Sequence, residues 1–331
     1  MKHSVDEKPV VLSVVAPMYN EEDSVADTAR RVAEALEGFE GRWELVMVND
    51  GSTDGSLAAA QAEAQRDPRV RVVSYEPNAG RGRALRTGFA AARGEIVVSV
   101  DFDLSYEPGH IVRLHDRLKD DPSADVVLAS AYMPGGTVEG VPWKRLFVSR
   151  MGNRVLRHAF AKPIATSTCI VRGYRRRVFE ALELRSDGKE IHLEILRKAL
   201  TLGFEVVEIP GHLRARQKGK SKARMGLTAL SHLRFLVEQR PGLVFGTLGG
   251  GLLALAMVLG AGAAALAVAG RAAWRAAACA GGGLGLLSAL MFACWFLARR
   301  DLELERELVA LERTHRLLLA GDGRRRVEAK H

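Results

Sequence analysis

Residues 95–109 read EIVVSVDFDLSYEPG. An apolar, β-branched run stops on Asp101 and Asp103, with one residue between them. A strand places positions i and i+2 on one side, so both carboxylates face the same point. One of them could cap the following helix, but two at one spot repel unless something positive lies between them. Reading this run as a buried strand organises its surroundings. Before it, VVLSVVAPMY, WELVMVND and VRVVSYE are apolar runs of strand type. They alternate with EEDSVADTARRVAEALEG, SLAAAQAEAQRD and GRALRTGFAAARG, which have helical spacing. After it come the helical PGHIVRLHDRLKDD and a fifth strand, ADVVLASAY. Such alternation predicts βαβ units and a mostly parallel sheet. Ligands bind beyond the carboxyl ends of such strands. Those ends read PMYNEE, NDGSTD, EPNAGRG and DFDLS, and they are expected to converge on one crevice.

The Asp101/Asp103 pair suits Mg²⁺ or Mn²⁺, which take oxygen ligands and use one or two carboxylates plus substrate phosphates. A Ca²⁺ loop needs further acidic ligands at fixed spacing, which DFDLSYEPG lacks. Two carboxylates this close also suit a metal better than a glycosidase pair. Asp50 ends the second strand in VNDGSTDGS, where Gly51 allows a tight turn and Ser52, Thr53 and Asp54 can cap the next helix. A carboxylate at Asp50 could accept from a base N–H or a ribose hydroxyl. In NAGRGRAL, glycines let backbone approach a ligand and arginines could meet phosphate.

The chain has 331 residues, 47% of them apolar, which excludes disorder. Charge is segregated. Residues 1–140 hold 15 Lys/Arg against 24 Asp/Glu (net −9), residues 141–240 hold 22 against 8 (net +14), and residues 241–331 hold 11 against 7 (net +4). The basic block points to an anionic surface, membrane or nucleic acid. The third block favours the bilayer over nucleic acid: residues 241–270 and 276–298 carry no charge, and each run exceeds the roughly 20 residues that cross a bilayer core. The short RAAWR between them makes a transmembrane hairpin, expected over about 243–270 and 276–298. Two buried helices of a soluble core are the alternative. Arginines flank both ends, and both chain ends are expected in the cytoplasm. MKHSVDEKPV does not read as a signal peptide, so the N-terminal domain is expected to stay on the cytoplasmic side. Cys169, Cys279 and Cys294 imply no disulfide framework.

Residues 142–160 place Trp143, Leu146, Phe147, Met151, Val155 and Leu156 at helical spacing among Lys144, Arg145, Arg150, Arg154 and Arg157. That reads as an interfacial helix or as an ordinary amphipathic core helix. RARQKGKSKARM carries six basic residues in twelve, ahead of the hairpin, and suits anionic lipid or a solvated loop. LELERELVALERTHRLLL reads as a short amphipathic tail helix within 301–331. Gly246…Gly250 and Gly281…Gly285 allow close helix contact, within the hairpin or in a homo-oligomer.

Taken in order, VVAPMYNEE, VNDGSTDGS, NAGRGRALRTGF and DFDLS resemble the donor-binding half of family 2 glycosyltransferases, which have the Rossmann-like GT-A fold. AYMPGG…W…R…S…GN, CIVRGYRR, HLEILRKALTLGFEVVEIP and RQKGKSK resemble the polyprenyl-phosphate, dolichol-phosphate mannosyltransferase-like branch, in its bacterial membrane-anchored form. The resemblance spans roughly residues 10–300 and implies a GT-A domain over 1–230, then the membrane hairpin within 231–300. It implies that Pro17, Tyr19, Glu21 and Asp50 line the base and ribose of a UDP- or GDP-sugar. It gives Asp101 and Asp103 the metal, Arg145 and Ser149 the acceptor phosphate, and Arg216, Ser221 and Lys222 a basic loop near both phosphates. The implied reaction is inverting, metal-dependent transfer of one sugar to an undecaprenyl-type phosphate at the inner membrane. A different lipid-linked or protein acceptor, and a catalytically silent scaffold, remain as alternatives.

Two departures stand out. The SRY triplet of the branch is Ser130-Ala131-Tyr132, and its DxTSGFR is a run from Thr166 to Arg172 lacking the acid and the glycine. The QxxRW of processive synthases is absent. The missing acid need not abolish activity. A phosphate monoester, with a second pKa of about 6, is already largely dianionic near neutrality. It requires positioning and charge compensation rather than a general base.

Overall fold

The computed structural model describes residues 9–157, 160, 162–214, 237 and 241–328. The chain divides into two compact units, residues 1–224 with 316–331, and residues 225–315.

The first unit is built on a seven-stranded sheet. Its strands are β1 (Val10–Met18), β2 (Arg42–Asp50), β3 (Val70–Tyr75), β4 (Ile96–Ser99), β5 (Ala124–Ser130), β7 (Arg172–Arg175) and β8 (Glu205–Pro210), in the order β3-β2-β1-β4-β7-β5-β8. All neighbours run parallel except β7, which is antiparallel to both β4 and β5. The short β6 (Thr137–Glu139) and β9 (His212–Arg214) form a separate parallel pair. The connecting helices are α1 (Val25–Ala35), α2 (Ser56–Arg66), α3 (Arg81–Ala91), α4 (His110–Asp120), α5 (Trp143–Arg157), α6 (Arg176–Ala181) and α7 (Ile191–Thr201). The central strands are apolar on both faces, as a sheet covered by helices requires: Val14, Val15, Val46, Val98 and Val127 are fully buried.

β7 escapes periodicity because its sequence is RGYR. Arg172 is fully buried and donates to three backbone carbonyls, those of Cys169 (2.8 Å), His192 (2.9 Å) and Ser167 (2.6 Å). Arg175 and Arg176 likewise donate to the carbonyls of Ala124 and Gly94. These arginines satisfy backbone acceptors where loops meet the sheet, which an apolar pattern does not register.

In α5 the expected single apolar face is split. Leu156 and Asn153 turn inward, while Trp143 (71% exposed), Phe147 (60%) and Met151 (43%) form an outward stripe at i, i+4 and i+8.

The second unit contains α8 (Thr247–Val268), preceded by a π-helical turn at Gly242–Gly246, and the start of α9 (Trp274–Glu328). Both helices are long and apolar enough to cross a membrane, over Val244–Val268 and Trp274–Leu304. Ser288 donates to the carbonyl of Gly249 at 2.8 Å, and Gly281 lies against α8 at the Ala256 carbonyl, so these small residues serve contacts within the hairpin. Val258 and Leu286 face outward, as lipid-facing side chains would. The tail is not a separate helix. α9 runs unbroken for 55 residues, because no glycine or proline interrupts residues 286–320 and Arg299 pairs with Glu303 one turn on (3.0 Å).

Candidate active site

The strand order reverses between β1 and β4, so the crevice at their carboxyl ends is the ligand position of this topology. Pro17 closes β1 toward that crevice, followed by Tyr19, Asn20 and Glu21. Asn20 adopts a left-handed backbone (φ 53), tolerable for a short polar side chain. It is held there by bonds to the loop after β2: its N–H donates to Ser52 Oγ (3.0 Å), and Thr53 N–H donates to its Oδ1 (2.8 Å). Glu21 N–H donates to Ser56 Oγ at 2.8 Å. The first two strand ends are therefore stitched into one rim.

Asp50 is buried, and its carboxylate accepts from Tyr75 OH (2.8 Å), Asn78 Nδ2 (2.9 Å), Ala79 N–H (2.8 Å) and Gly80 N–H (3.0 Å). Here it anchors the loop after β3. Burial, and then the Asp50 carboxylate, push the Tyr75 phenol well above its ordinary pKa, so it stays a donor. Gly51 (φ 61) is required, since a Cβ there would lie 2.4 Å from Asn78 N.

The loop after β4 carries the paired aspartates. Asp103 Oδ1 accepts from Ser105 N–H (3.1 Å) and Ser105 Oγ (2.5 Å), and Leu104 is left-handed (φ 46). An αL leucine costs about 1–2 kcal/mol. Buried Phe102, Leu104 and Tyr106, and the bond from Thr28 Oγ1 to the Phe102 carbonyl (2.7 Å), hold it in place. The loop is also tied to β9, where Arg214 N–H donates to the Ser105 carbonyl (2.8 Å) and the Arg214 side chain pairs with Glu107 (2.7 Å). Among the described residues no group of three or more His, Cys, Asp or Glu could hold a metal ion. Two carboxylates on one loop nevertheless match the donor set of a divalent ion whose remaining ligands are phosphate oxygens and water.

The sequence posed two negative charges in search of a positive one, and the protein itself supplies part of the answer. Arg81, first residue of α3, stands 3.5 Å from Asp101. The glycines around it serve a purpose the sequence did not disclose. The backbone that approaches them is the loop before α7: Gly82 N–H donates to the Asp187 carbonyl at 2.7 Å, and a Cβ on Gly82 would lie 2.3 Å from the Ser186 carbonyl oxygen. Arg86 pairs with Asp187, and Glu194 accepts from the N–H groups of Arg185 (2.9 Å) and Ser186 (2.8 Å). This loop carries Lys189, which sequence reading missed. Desolvation, then the charges of Arg81 and Arg145, lower its pKa, while Asp101 acts the other way. Beneath it, His192 is buried with both ring nitrogens unpartnered among the described residues. Burial, then Arg172, Arg81 and Lys189, hold it well below its ordinary pKa, so it is neutral at pH 7.

The acceptor motifs also meet. Ser149 Oγ accepts from Tyr132 OH at 2.7 Å. Asn153 Oδ1 accepts from Ser167 N–H (2.8 Å), docking α5 on the 166–168 segment. The two departures fall at one place: Thr166 Oγ1 accepts from the N–H of Tyr132 (3.1 Å), next to buried Ala131, and bonds Ser130 Oγ (2.7 Å). Neither Ala131 nor Thr166 carries a charge, and the Ser130 and Thr166 hydroxyls bond each other beside Ala131. Arg216, Ser221 and Lys222 lie outside the described residues.

A mostly parallel sheet with carboxylates and cations at its switch point defines a Rossmann-like domain. The glycosyl transferase family 2 profile matches residues 13–183, and the chain belongs to that family; it is a glycosyltransferase. It is similar to a polyprenol monophosphomannose synthase of Mycolicibacterium smegmatis (36% identical, covering 63% of this chain and 79% of that protein). It is also similar to a dolichol-phosphate mannosyltransferase of Pyrococcus furiosus (33% identical, covering 68% of this chain and 62% of that protein). An undecaprenyl-phosphate 4-deoxy-4-formamido-L-arabinose transferase of an Enterobacter species is 33% identical over 64% of this chain and 62% of its own length. The chain thus spans less than two thirds of the latter two relatives, and all three support the polyprenyl-phosphate branch. The GT-A fold is matched by glucosyl-3-phosphoglycerate synthase of Mycobacterium tuberculosis, crystallised with Mn²⁺ and UDP (TM-score 0.53, 21% identical, covering 70% of this chain and 80% of that one).

Proposed function

We propose that the protein transfers one sugar from a nucleotide-sugar to a polyprenyl phosphate, with inversion, at the cytoplasmic face of the inner membrane. The observation that carries this reading is an opposition of charges. A carboxylate pair ends β4, and the cations Arg81, Arg145 and Lys189 gather beside it, in a chain that continues into two membrane-length helices. The relatives' names supply the acceptor class.

In this reading an oxygen of the acceptor phosphate attacks the anomeric carbon. The new C–O bond forms as the bond to the nucleoside diphosphate breaks, with no proton to remove. Asp101 and Asp103 would hold a divalent ion, Mg²⁺ or Mn²⁺, and the ion would supply charge compensation for the diphosphate leaving group. Pro17, Tyr19 and Glu21 bound the nucleoside side of the crevice. Asp50 shapes that side through the 75–80 loop it anchors, and Tyr132 orients Ser149 toward the acceptor phosphate beside Arg145. The outward stripe of Trp143, Phe147 and Met151 dips into the headgroup region, where each large apolar side chain adds about 1.5–3 kcal/mol when removed from water. The basic composition of the segment with Arg216, Ser221 and Lys222 suits the same anionic lipid.

The test is turnover by full-length protein in detergent, given radiolabelled nucleotide-sugars, Mn²⁺ and undecaprenyl phosphate. Metal-dependent passage of label into the organic phase supports the reading. Absence of such product with every donor, while a control transferase is active, refutes it.

A further inference from the structure

Two cations beside the carboxylate pair have side chains without a bonded partner among the described residues. The side chains of Lys189 and Arg145 form no hydrogen bond or ion pair among the described residues. They come from different elements, Arg145 from the first turn of α5 and Lys189 from the loop before α7. The loop that carries Lys189 packs on Gly80 and Gly82, which flank Arg81; Arg81 stands 3.5 Å from Asp101, and the charges of Arg81 and Arg145 act on Lys189. Cations gathered this way repel, just as Asp101 and Asp103 do, and the arrangement is costly unless an anion lies among them.

The position is built rather than accidental. The Ser186–Gly188 backbone is bolted to the start of α3 by Gly82 N–H and by the Arg86–Asp187 pair, and from behind by Glu194. No other residue type fits at Gly82 without moving this loop. His192, three residues further on, is a buried neutral imidazole with unpartnered nitrogens beside the same cations. A carboxylate there would neutralise Lys189; the imidazole leaves its charge available.

We propose that Lys189 is a phosphate-binding residue of the transfer site, its ammonium contacting a phosphate oxygen between Arg81 on the donor side and Arg145 on the acceptor side. Lysine suits this place as a compact point charge with rotatable donors, able to follow an oxygen as charge develops on it. The inference rests on the transferase reading given above. The phosphate is either the donor's diphosphate or the acceptor's monoester, and the two are separated by experiment.

Full-length Lys189→Met, Lys189→Arg and the control Lys119→Met, on the exposed side of α4, are compared with wild type. Two arms are read: the KM and kcat for undecaprenyl phosphate, and calorimetric affinity for UDP and GDP with Mn²⁺. Removing one preorganised donor predicts a loss of about 10²-fold in kcat/KM for Lys189→Met. Lys189→Arg should recover at least a tenth of wild-type turnover, with thermal stability unchanged in both. A loss confined to the acceptor KM assigns the contact to the lipid phosphate. A matching loss of nucleotide affinity assigns it to the donor diphosphate. If Lys189→Met stays within twofold of wild type in both arms, the inference is overturned. Equal impairment of the Met and Arg variants together with a lowered Tm also overturns it, as a structural role. If the wild type transfers nothing to undecaprenyl phosphate, the transferase reading falls by itself. Calorimetric binding of nucleotide and of undecaprenyl phosphate then decides: tenfold weaker binding of either in Lys189→Met supports the inference, and unchanged binding of both overturns it.

Discussion

Replacing Gly82 with alanine sets two effects of opposite sign against each other. Gly82 is the second residue of α3, and alanine in a helix is favoured over glycine by roughly 0.5–1 kcal/mol. On propensity alone the variant is stabilised. The structure predicts the reverse. The new Cβ would lie 2.3 Å from the Ser186 carbonyl oxygen and 2.8 Å from Asp187 C and the Gly188 carbonyl oxygen, all backbone atoms. To restore ordinary contact the 186–188 loop must retreat by about 1 Å. That stretches the 2.7 Å bond from Gly82 N–H to Asp187 O toward the limit of hydrogen bonding. Overpacking costs about 1–3 kcal/mol and the weakened bond about 0.5–1.5. After the propensity gain, the net destabilisation is about 0.5–4 kcal/mol. At about 2–4 °C per kcal/mol for a domain of this size, Tm should fall by roughly 1–16 °C. Tryptophan fluorescence in detergent reads it, since Trp43 lies in the buried part of the catalytic unit. Turnover should fall as well, because the displaced loop carries Lys189. An alanine variant as stable as wild type, or more so, would refute the claim that this loop is bolted to α3.

Other expectations follow from the same geometry. Asp101→Asn and Asp103→Asn should each lower metal-dependent kcat by about 10²–10³-fold with little change in Tm, read in saturating donor; several kcal/mol of charge stabilisation is at stake. Burial raises the Glu44 pKa, but bonds from Ser13 Oγ (2.7 Å), Arg71 (2.8 Å) and Arg93 N–H (2.7 Å) outweigh it and hold the carboxyl below its ordinary value. Its stabilisation is therefore complete above the unfolded glutamate pKa of about 4.3 and is lost as pH falls through the lower folded value, so Glu44→Gln should flatten acid unfolding there. The folded pKa of His192 is also depressed. Stability should thus fall as pH drops below about 6.5, with a slope of up to about 1.4 kcal/mol per pH unit that His192→Gln removes. Trp143→Ser with Phe147→Ser should raise KM for undecaprenyl phosphate in vesicles while leaving KM for a water-soluble short-chain phosphate unchanged, as expected if the exposed stripe engages lipid.

What the sequence made legible were features with a period or a fixed motif. The βαβ alternation, the polar strand ends and the paired uncharged runs all survive in the structure. What it hid were features without either. β7 is an arginine-rich strand whose guanidinium groups serve carbonyls, so its charge masks its burial. The apolar residues of α5 read as one face in sequence, but Asn153 and Leu156 turn inward while Trp143 and Phe147 turn out. The sequence points Asp50 toward a ligand, and in the structure its oxygens meet donors from the 75–80 loop. Lys189 left no signal beyond a lysine in a glycine-containing turn, because its position depends on a contact with Gly82 more than a hundred residues earlier.

The central claim is that a lipid phosphate, rather than a hydroxyl, receives the sugar. Mass and ³¹P analysis of the organic-phase product tests it most directly. The account predicts a single species, one sugar joined to undecaprenyl phosphate through a phosphodiester at the anomeric carbon, with the donor's anomeric configuration inverted. A sugar joined to a hydroxyl, with the phosphate monoester intact, would contradict it.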